Sequence, residues 1–347
     1  MARLKIANWN IEWMNRWFTG DSAGAPTLKP SAEISGVSDI DALATRVAAV
    51  ITTLDVDILT VQEGPSRKSE MALFVQRFLQ GAFDIVGPAG KGQQKVYALV
   101  NKQSDVIAAT HRVEEELSFD FDDVWEVDVD ADMDLDEYRF TRPPLVMKVE
   151  TSTGKTLRLL TIHTKSKFVH SGQSMWRDPV RRPEFVRKAL EARRRISAEA
   201  MRVREYLDTC FTEDIEAPIV VTGDLNDGPG LDYFERRYLT HNVAGLIAGS
   251  PFRPRHMLRH AFVDLMPKEL NFTAQFDDFV DEIDDRKVLL DHIFVSASLF
   301  WKADKSRNAK GLIEHDIFDA QIDANAAAGS RQHLPSDHRP QSVTLEV

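Results

Sequence analysis

The strongest constraint on the fold is a recurring pattern of short, largely apolar runs that each end in a side chain capable of chemistry. Ile58–Gln62 runs into Glu63-Gly64, Leu157–His163 ends in His163 ahead of Thr164-Lys165-Ser166-Lys167, and Ile219–Thr222 runs into Gly223-Asp224-Leu225-Asn226. Runs of this length with little polar alternation predict strands buried on both faces. Lys5–Asn10, Tyr97–Asn101, Leu145–Glu150, Val288–Val295 and Ser342–Val347 read the same way. Apolar residues at helical spacing predict helices over Asp39–Leu54, Glu70–Leu79 and Pro183–Leu207, with Pro183 placed in a first turn and Gly81 as a stop. Thr151-Ser152-Thr153-Gly154 separates two strands as a hairpin turn. The alternation of strands and helices points to an α/β protein.

Composition removes several classes. The single Cys210 cannot form an intramolecular disulfide, which excludes a secreted disulfide scaffold. No apolar stretch approaches the roughly 20 residues that a membrane-crossing helix needs. Met1–Lys5 runs directly into strand-like residues without a signal-peptide pattern, so a cytoplasmic protein is expected. A net charge of −11 argues against a passive DNA-storage or repressor role, which needs a basic face. It suits an enzyme that holds a divalent cation and carries only a local basic track. No linker divides the 347 residues, so one domain spanning 1–347 is expected. Two polar segments, near 114–137 and 298–335, read as inserted loops without core elements.

Five segments carry candidate chemistry, all at strand ends or in the loops that follow. Asn10, in Trp9-Asn10-Ile11-Glu12, can fix a carboxylate or a metal-bound water, though a strand-ending Asn is also a common turn residue. Glu63 is delivered by a buried strand and suits Mg²⁺, which takes one or two carboxylates beside water and substrate oxygens. His163 can donate to a developing oxyanion, and Lys165 and Lys167 can neutralise phosphate charge. Asp224 and Asn226 share a face if strand geometry continues, so one can activate a water that the other orients. An EF-hand reading of the same loop fails, because Gly228 replaces an acidic ligand, Pro229 replaces the required Gly, and a strand precedes it. The fifth segment is a pair, Leu290-Asp291-His292 and Ser336-Asp337-His338-Arg339-Pro340. A buried Asp291 needs a partner, and an Asp–His pair fixes the tautomer of a general base. His292 faces the other way and reads as structural.

Taken in this order, Trp9-Asn10-Ile11, Gln62-Glu63, His163, Gly223-Asp224-Leu225-Asn226, Leu290-Asp291-His292 and Ser336-Asp337-His338-Arg339-Pro340 resemble the endonuclease/exonuclease/phosphatase (DNase I-like) superfamily. That group includes pancreatic-type deoxyribonucleases, abasic-site endonucleases, inositol-polyphosphate 5-phosphatases and neutral sphingomyelinases. His163-Thr164-Lys165-Ser166-Lys167 looks like the His-Leu-Lys-Ser-Lys of bacterial nuclease-like members, with Thr164 in place of Leu. Abasic-site endonucleases typically carry Asn where His163 stands, which lowers that branch. The resemblance implies a four-layer α/β sandwich, two β-sheets packed face to face with helices outside. It also implies an Mg²⁺ or Mn²⁺ site at Asn10 and Glu63 with Asp337 as a further ligand, and a water positioned or activated by Asp224 and Asn226. His338 paired with Asp291 then acts as base or as phosphate-binding imidazolium.

The expected activity is divalent-metal-dependent hydrolysis of phosphate esters, first of all DNA phosphodiesters. Trp176, Arg181 and Arg182, with Arg187, Arg193, Arg194, Arg195, Lys165 and Lys167, could form a phosphate-tracking surface in which Trp176 offers a stacking face. The plainer alternative is an Arg-rich helix whose charges pair with neighbouring glutamates. A phosphatase or phospholipid phosphodiesterase acting on a small head group is the competing activity, and a catalytically dead binding module is disfavoured by the complete residue set. Nucleic acid is the expected partner, with neither a membrane nor an obligate protein partner.

Overall fold

The computed structural model describes residues 2–19, 25–32, 36–89, 92–113, 121–228, 232–239, 242–328 and 330–347. Part of the acidic segment, 114–120, and Pro229 lie outside these residues. The strands in chain order are β1 (Arg3–Asn10), β2 (Ile58–Gly64), β3 (Phe83–Ala89), β4 (Lys95–Asn101), β5 (Ile107–Arg112), β6 (Trp125–Val127), β7 (Asp136–Tyr138) and β8 (Leu145–Thr151). They continue with β9 (Thr156–His163), β10 (Ile219–Asp224), β11 (Leu258–His260), β12 (Ala274–Asp278), β13 (Ile283–Val288), β14 (Asp291–Ser296), β15 (Lys310–Ile313) and β16 (Gln341–Glu346). The helices are α1 (Ile40–Leu54), α2 (Lys68–Phe78), α3 (Gly172–Arg177), α4 (Arg182–Glu213), α5 (Tyr233–Arg237), α6 (Val243–Ala248), α7 (Ala297–Phe300) and α8 (His315–Asp319).

Twelve strands form two six-stranded sheets, in the orders β15-β16-β1-β2-β4-β3 and β11-β14-β10-β9-β8-β5. One core cluster joins them face to face: Leu4, Ile6, Ile58 and Val343 from the first sheet pack with Leu157, Leu159, Val220 and Ile293 from the second. The outer face of the first sheet, including Trp9, Leu59 and Val61, is covered by α1 and α2. The outer face of the second, including Leu160, Ile162 and Val221, is covered by α4 through Ile196, Val203 and Leu207. This is the expected four-layer sandwich.

Period-two alternation then positions the site. Side chains two apart share a face, so the inter-sheet series reads Leu4, Ile6, Asn8, Asn10 on β1 and Ile58, Thr60, Gln62 on β2. It reads Leu157, Leu159, Thr161, His163 on β9 and Val220, Thr222, Asp224 on β10. β14 runs antiparallel to β10 and begins with Asp291, followed by Ile293 and Val295 on the same face. Each series is apolar in the middle of the sandwich and polar at one end. The polar ends coincide because Asp224 is in register with both His163 and Asp291.

The structure corrects three sequence expectations. Val288–Val295 is not one strand: β13 ends at Val288 and β14 starts at Asp291, with Thr273 Oγ1 accepting from the Leu290 and Asp291 amides where the chain bends. Apolarity continues through the bend, so the pattern alone hides it. The segment 298–335 is more than loop, because β15 pairs with β16 and Phe318 on α8 is fully buried against the outer core. Trp125 and Phe121, in the segment near 114–137, pack against Phe140 and Tyr206. Both regions carry single large apolar residues in polar surroundings, and so lack the periodicity that marks a core element.

Candidate active site

Asp224 ends β10 behind Gly223, whose φ of 150° and close approach exclude a side chain: a Cβ there would lie 2.0 Å from the Ile162 carbonyl oxygen. Asp224 is fully enclosed. Its Oδ2 accepts from Asn10 Nδ2 at 2.9 Å and lies 3.6 Å from His163 Nε2, while its Oδ1 accepts from the Asn226 amide at 2.8 Å. Burial, then the neighbouring Asp291 charge, pushes the Asp224 carboxyl up to about 7. The Asn10–Asp224 bond ties the two sheets together at the polar end, below a buried ladder in which Thr60 Oγ1 meets Thr222 Oγ1 at 3.0 Å and Thr222 meets Thr161 at 3.2 Å.

Asp291 Oδ2 accepts from His338 Nδ1 at 2.6 Å. Burial opposes charge on His338, but Asp291, Asp337 and Asp224 outweigh it and hold the imidazolium form well above the usual histidine range. His338 is fixed through its backbone: its carbonyl accepts from Trp9 Nε1 at 2.8 Å, and its amide donates to Ser336 Oγ at 3.2 Å. Ser336 Oγ in turn donates to the Asn10 carbonyl at 2.7 Å. The sequence expectation placed Asp291 with His338, and the geometry brings them together. His163 is buried, and burial followed by the Arg142 charge keeps it neutral.

Glu63 reaches the site by a different route. Its odd-numbered position on β2 would face the helices, but a register shift between Val61 and Gly64 and a left-handed φ of 56° re-aim it. Its Oε2 accepts from the Trp13 amide at 2.8 Å and from Gln94 Nε2 at 2.6 Å. Burial, then Asp337, raises its carboxyl.

Sequence reasoning missed four contributors. Glu12 is pushed up to about 8 by burial and then by Asp337, with Arg331 as its ion-pair partner at 2.5 Å. Arg142 is a buried cation whose guanidinium donates to Gln94 at 2.7 Å and to the Thr164 and His163 carbonyls. Glu199, on α4, accepts from the Lys165 amide at 2.8 Å. Asn8, at the inter-sheet position before Asn10, accepts from Thr60 and Gln62. Period-two reading of β1 finds Asn8; Glu12 closes the Trp9-Asn10-Ile11-Glu12 segment without a spacing signal of its own, and Arg142 and Glu199 come from segments with no distinctive local pattern.

A hard divalent cation fits this end of the sandwich. The donors are all oxygens, Asn10 Oδ1 is buried without a hydrogen-bond partner, and the Glu12 and Glu63 carboxyls are raised first by burial and then by the Asp337 charge. Asp224, Asp291 and His338 also have ligand atoms within 4.8 Å of one another. Their mutual bonding suits proton chemistry better, since Asp291 already occupies His338 Nδ1. Raised acids hold protons that the unfolded chain releases, and a raised histidine does the same. Stability contributed by the two carboxyls is therefore lost from the ordinary carboxylate range upward, through about 7 for Asp224 and about 8 for Glu12, and that of His338 from 6.5 upward, so the losses overlap above pH 6.5. In a chelator, the melting temperature should fall between pH 6.5 and 8, and Mg²⁺ should flatten the slope. A melting temperature that rises with pH in the chelator would contradict this assignment.

The loop after Asp224 is braced from behind. His260 Nδ1 accepts from the Phe262 and Val263 amides at 3.4 and 3.3 Å, so Nε2 carries the proton and donates to His292 Nδ1 at 3.0 Å. His292 Nε2–H then donates to the Asp227 carbonyl at 2.7 Å. His292 thus points away from the catalytic face. His292→Leu removes the acceptor of the His260 Nε2–H and a donor to the Asp227 carbonyl, and should cost about 1–3 kcal/mol in chemical denaturation. His292→Gln, with one donor and one acceptor, should lose clearly less; equal losses would contradict the relay.

The proposed substrate-binding residues are dispersed. Lys167 Nζ donates to Asp227 and Glu235 at 2.6 Å each, which occupies it. Lys165 is half-buried with its amine 3.5 Å from the Ser166 carbonyl. Trp176 packs edge-on against Phe185 and Tyr233, with the Arg182 guanidinium 4.9 Å over its ring, so it offers no free stacking face. Arg181 and Arg182 are exposed. Arg187 pairs with Glu191, Arg193 with Asp232, Arg194 with Asp130 and Arg195 with Glu199, which is the plainer reading of this helix.

No family model matches the chain, and no curated protein matches it. Solved structures do. A mannosyl-6-phosphatase from Bacteroides thetaiotaomicron superposes with a TM-score of 0.51 at 14% identity, covering 99% of this chain and 100% of the other. An endonuclease/exonuclease/phosphatase from Bacteroides vulgatus gives 0.50 at 14%, with 100% of both chains covered. TDP2 from Caenorhabditis elegans gives 0.50 at 15%, covering 100% of this chain and 75% of the other. The chain therefore has the endonuclease/exonuclease/phosphatase, DNase I-like fold. At these identities the likeness is one of architecture. No helix among the described residues is long and apolar enough to cross a membrane.

Proposed function

We propose that this chain is a divalent-metal-dependent phosphoric ester hydrolase that cleaves phosphodiester bonds, with DNA as substrate. The observation that carries the proposal is the convergence of Asn10, Glu63, His163, Asp224, Asn226, Asp291 and His338 on one end of the sandwich. There a carboxyl raised to about 7 sits beside a charged imidazole. A cation held by Glu63, Asp337 and Asn10 would withdraw charge from the phosphate and stabilise the leaving oxygen. Asp224 is placed to take a proton from a water near neutral pH, and Asn226 to orient that water. The His338 imidazolium and His163 supply donors to the phosphate oxygens. A small phosphate ester is the second reading, favoured by the carboxylate pairing of Lys167, Arg193, Arg194 and Arg195, which leaves no continuous basic track along α4. Incubating the protein with Mg²⁺ or Mn²⁺ and linear DNA, circular DNA, RNA, an inositol polyphosphate, sphingomyelin and a sugar phosphate separates these readings. Turnover of none of them would overturn the proposal.

A further inference from the structure

A cavity of about 1050 Å³ opens beside the catalytic groups, with Asn226, Asp337 and His338 in its wall. Two further pieces of chain line it, and both are tied to the site. One is the segment after His163, which carries Phe168. The other is the β12–β13 ribbon, whose Ala274 forms a bridge with His338 while Thr273 accepts from the Arg339 amide at 2.7 Å. Phe276 lies two residues beyond Ala274 and shares its face of the strand. Phe168 is 74% exposed and Phe276 48% exposed, although both line a cavity next to the reacting centre.

The charges in the wall cancel one another. Lys167 is held by Asp227 and Glu235, Arg193 by Asp232, and Arg286 by Asp278 and Asp281 at 2.5 and 2.8 Å. Lys287 lies 4.5 Å from the Phe272 ring centroid. Carboxylates in the wall outnumber cations six to five, with the His338 imidazolium counted among the cations. Further phosphates placed here would meet a net negative surface, whereas exposed phenyl faces accept a planar, uncharged group.

We infer that this cleft is a subsite for an aromatic ring carried next to the scissile phosphate. The inference rests on the phosphoesterase reading for the position of that phosphate. In a nucleic acid the ring is the base of one unpaired nucleotide, and the remaining phosphates run outside the cleft; in a small ester it is an aryl group. The test is equilibrium binding to the intact chain in Mg²⁺, using non-hydrolysable phosphonates: a thymidine 5′-phosphonate, benzylphosphonate, and a ring-free deoxyribose 5-phosphonate. At least one ring-bearing ligand should bind about tenfold or more tighter than the ring-free one. Phe168→Ala and Phe276→Ala should remove most of that preference, and the Tyr variants should keep it. A preference for thymidine alone supports the nucleobase source, and a preference shared with benzyl supports aromatic rings in general. Equal affinity for ring-bearing and ring-free ligands, or a preference unchanged in both Ala variants, would overturn the inference. A ring preference without hydrolysis of any phosphate ester would instead sink the phosphoesterase reading while leaving the subsite standing.

Discussion

Replacing Asp224 with asparagine should lower the maximal rate of phosphate-ester hydrolysis by at least about a hundredfold, in a chain that remains folded. The size of the effect follows from how many roles one carboxylate combines. It is the only site residue in register with both His163 and Asp291, it bonds to Asn10 across the sheets, and it fixes the Asn226 amide. Asparagine keeps the volume and can still accept one of the two amide hydrogen bonds, but it cannot take a proton from water. The rate constant and the specificity constant should therefore fall together, because the lost interaction belongs to the transition state. Near-normal turnover by a folded Asp224→Asn variant would move the base to another group, with His338 the first candidate.

The second large effect is expected at Glu63. Its carboxyl is raised mainly by burial and then by Asp337, and hydrogen bonds from the Trp13 amide and Gln94 Nε2 hold it in one orientation. Glu63→Gln preserves shape and removes the charge that a hard cation requires. The concentration of Mg²⁺ needed for half-maximal activity should rise at least about tenfold, in line with the loss of a metal-site partner. Saturating metal should recover part of the rate, which separates this variant from Asp224→Asn. An unchanged metal requirement would remove Glu63 from the cation site.

Much of this site is legible in the sequence, for a physical reason. A strand buried on both faces must be apolar, so a polar residue at its end stands out, as Asn10, Glu63, His163 and Asp224 do, whereas Asp291 stands out as a charge inside an apolar run. Alternation also marks Asn8, Thr60, Gln62, Thr161 and Thr222, which occupy buried inter-sheet positions on the same strands. Glu63 shows the limit: its position on β2 has the wrong parity, and only the bulge brings it round. Arg142, Glu199 and Glu12 were illegible because their roles depend on tertiary burial, which no local pattern encodes. Lys167 shows the opposite error. A lysine after a catalytic strand looks like a phosphate ligand, but Asp227 and Glu235 come from the neighbouring loop and helix and occupy it. The same holds for Trp176, whose ring is enclosed by Phe185, Tyr233 and Arg182.

The central claim is that oxygen donors at the polar end of the sandwich hold a divalent cation that the hydrolysis of phosphate esters requires. The most direct measurement is hydrolysis of a phosphodiester by protein stripped with a chelator and dialysed, with residual metal quantified, before and after adding Mg²⁺ or Mn²⁺. The account predicts negligible turnover in the stripped protein and recovery on adding either ion. Full turnover by protein shown to be free of metal would contradict it.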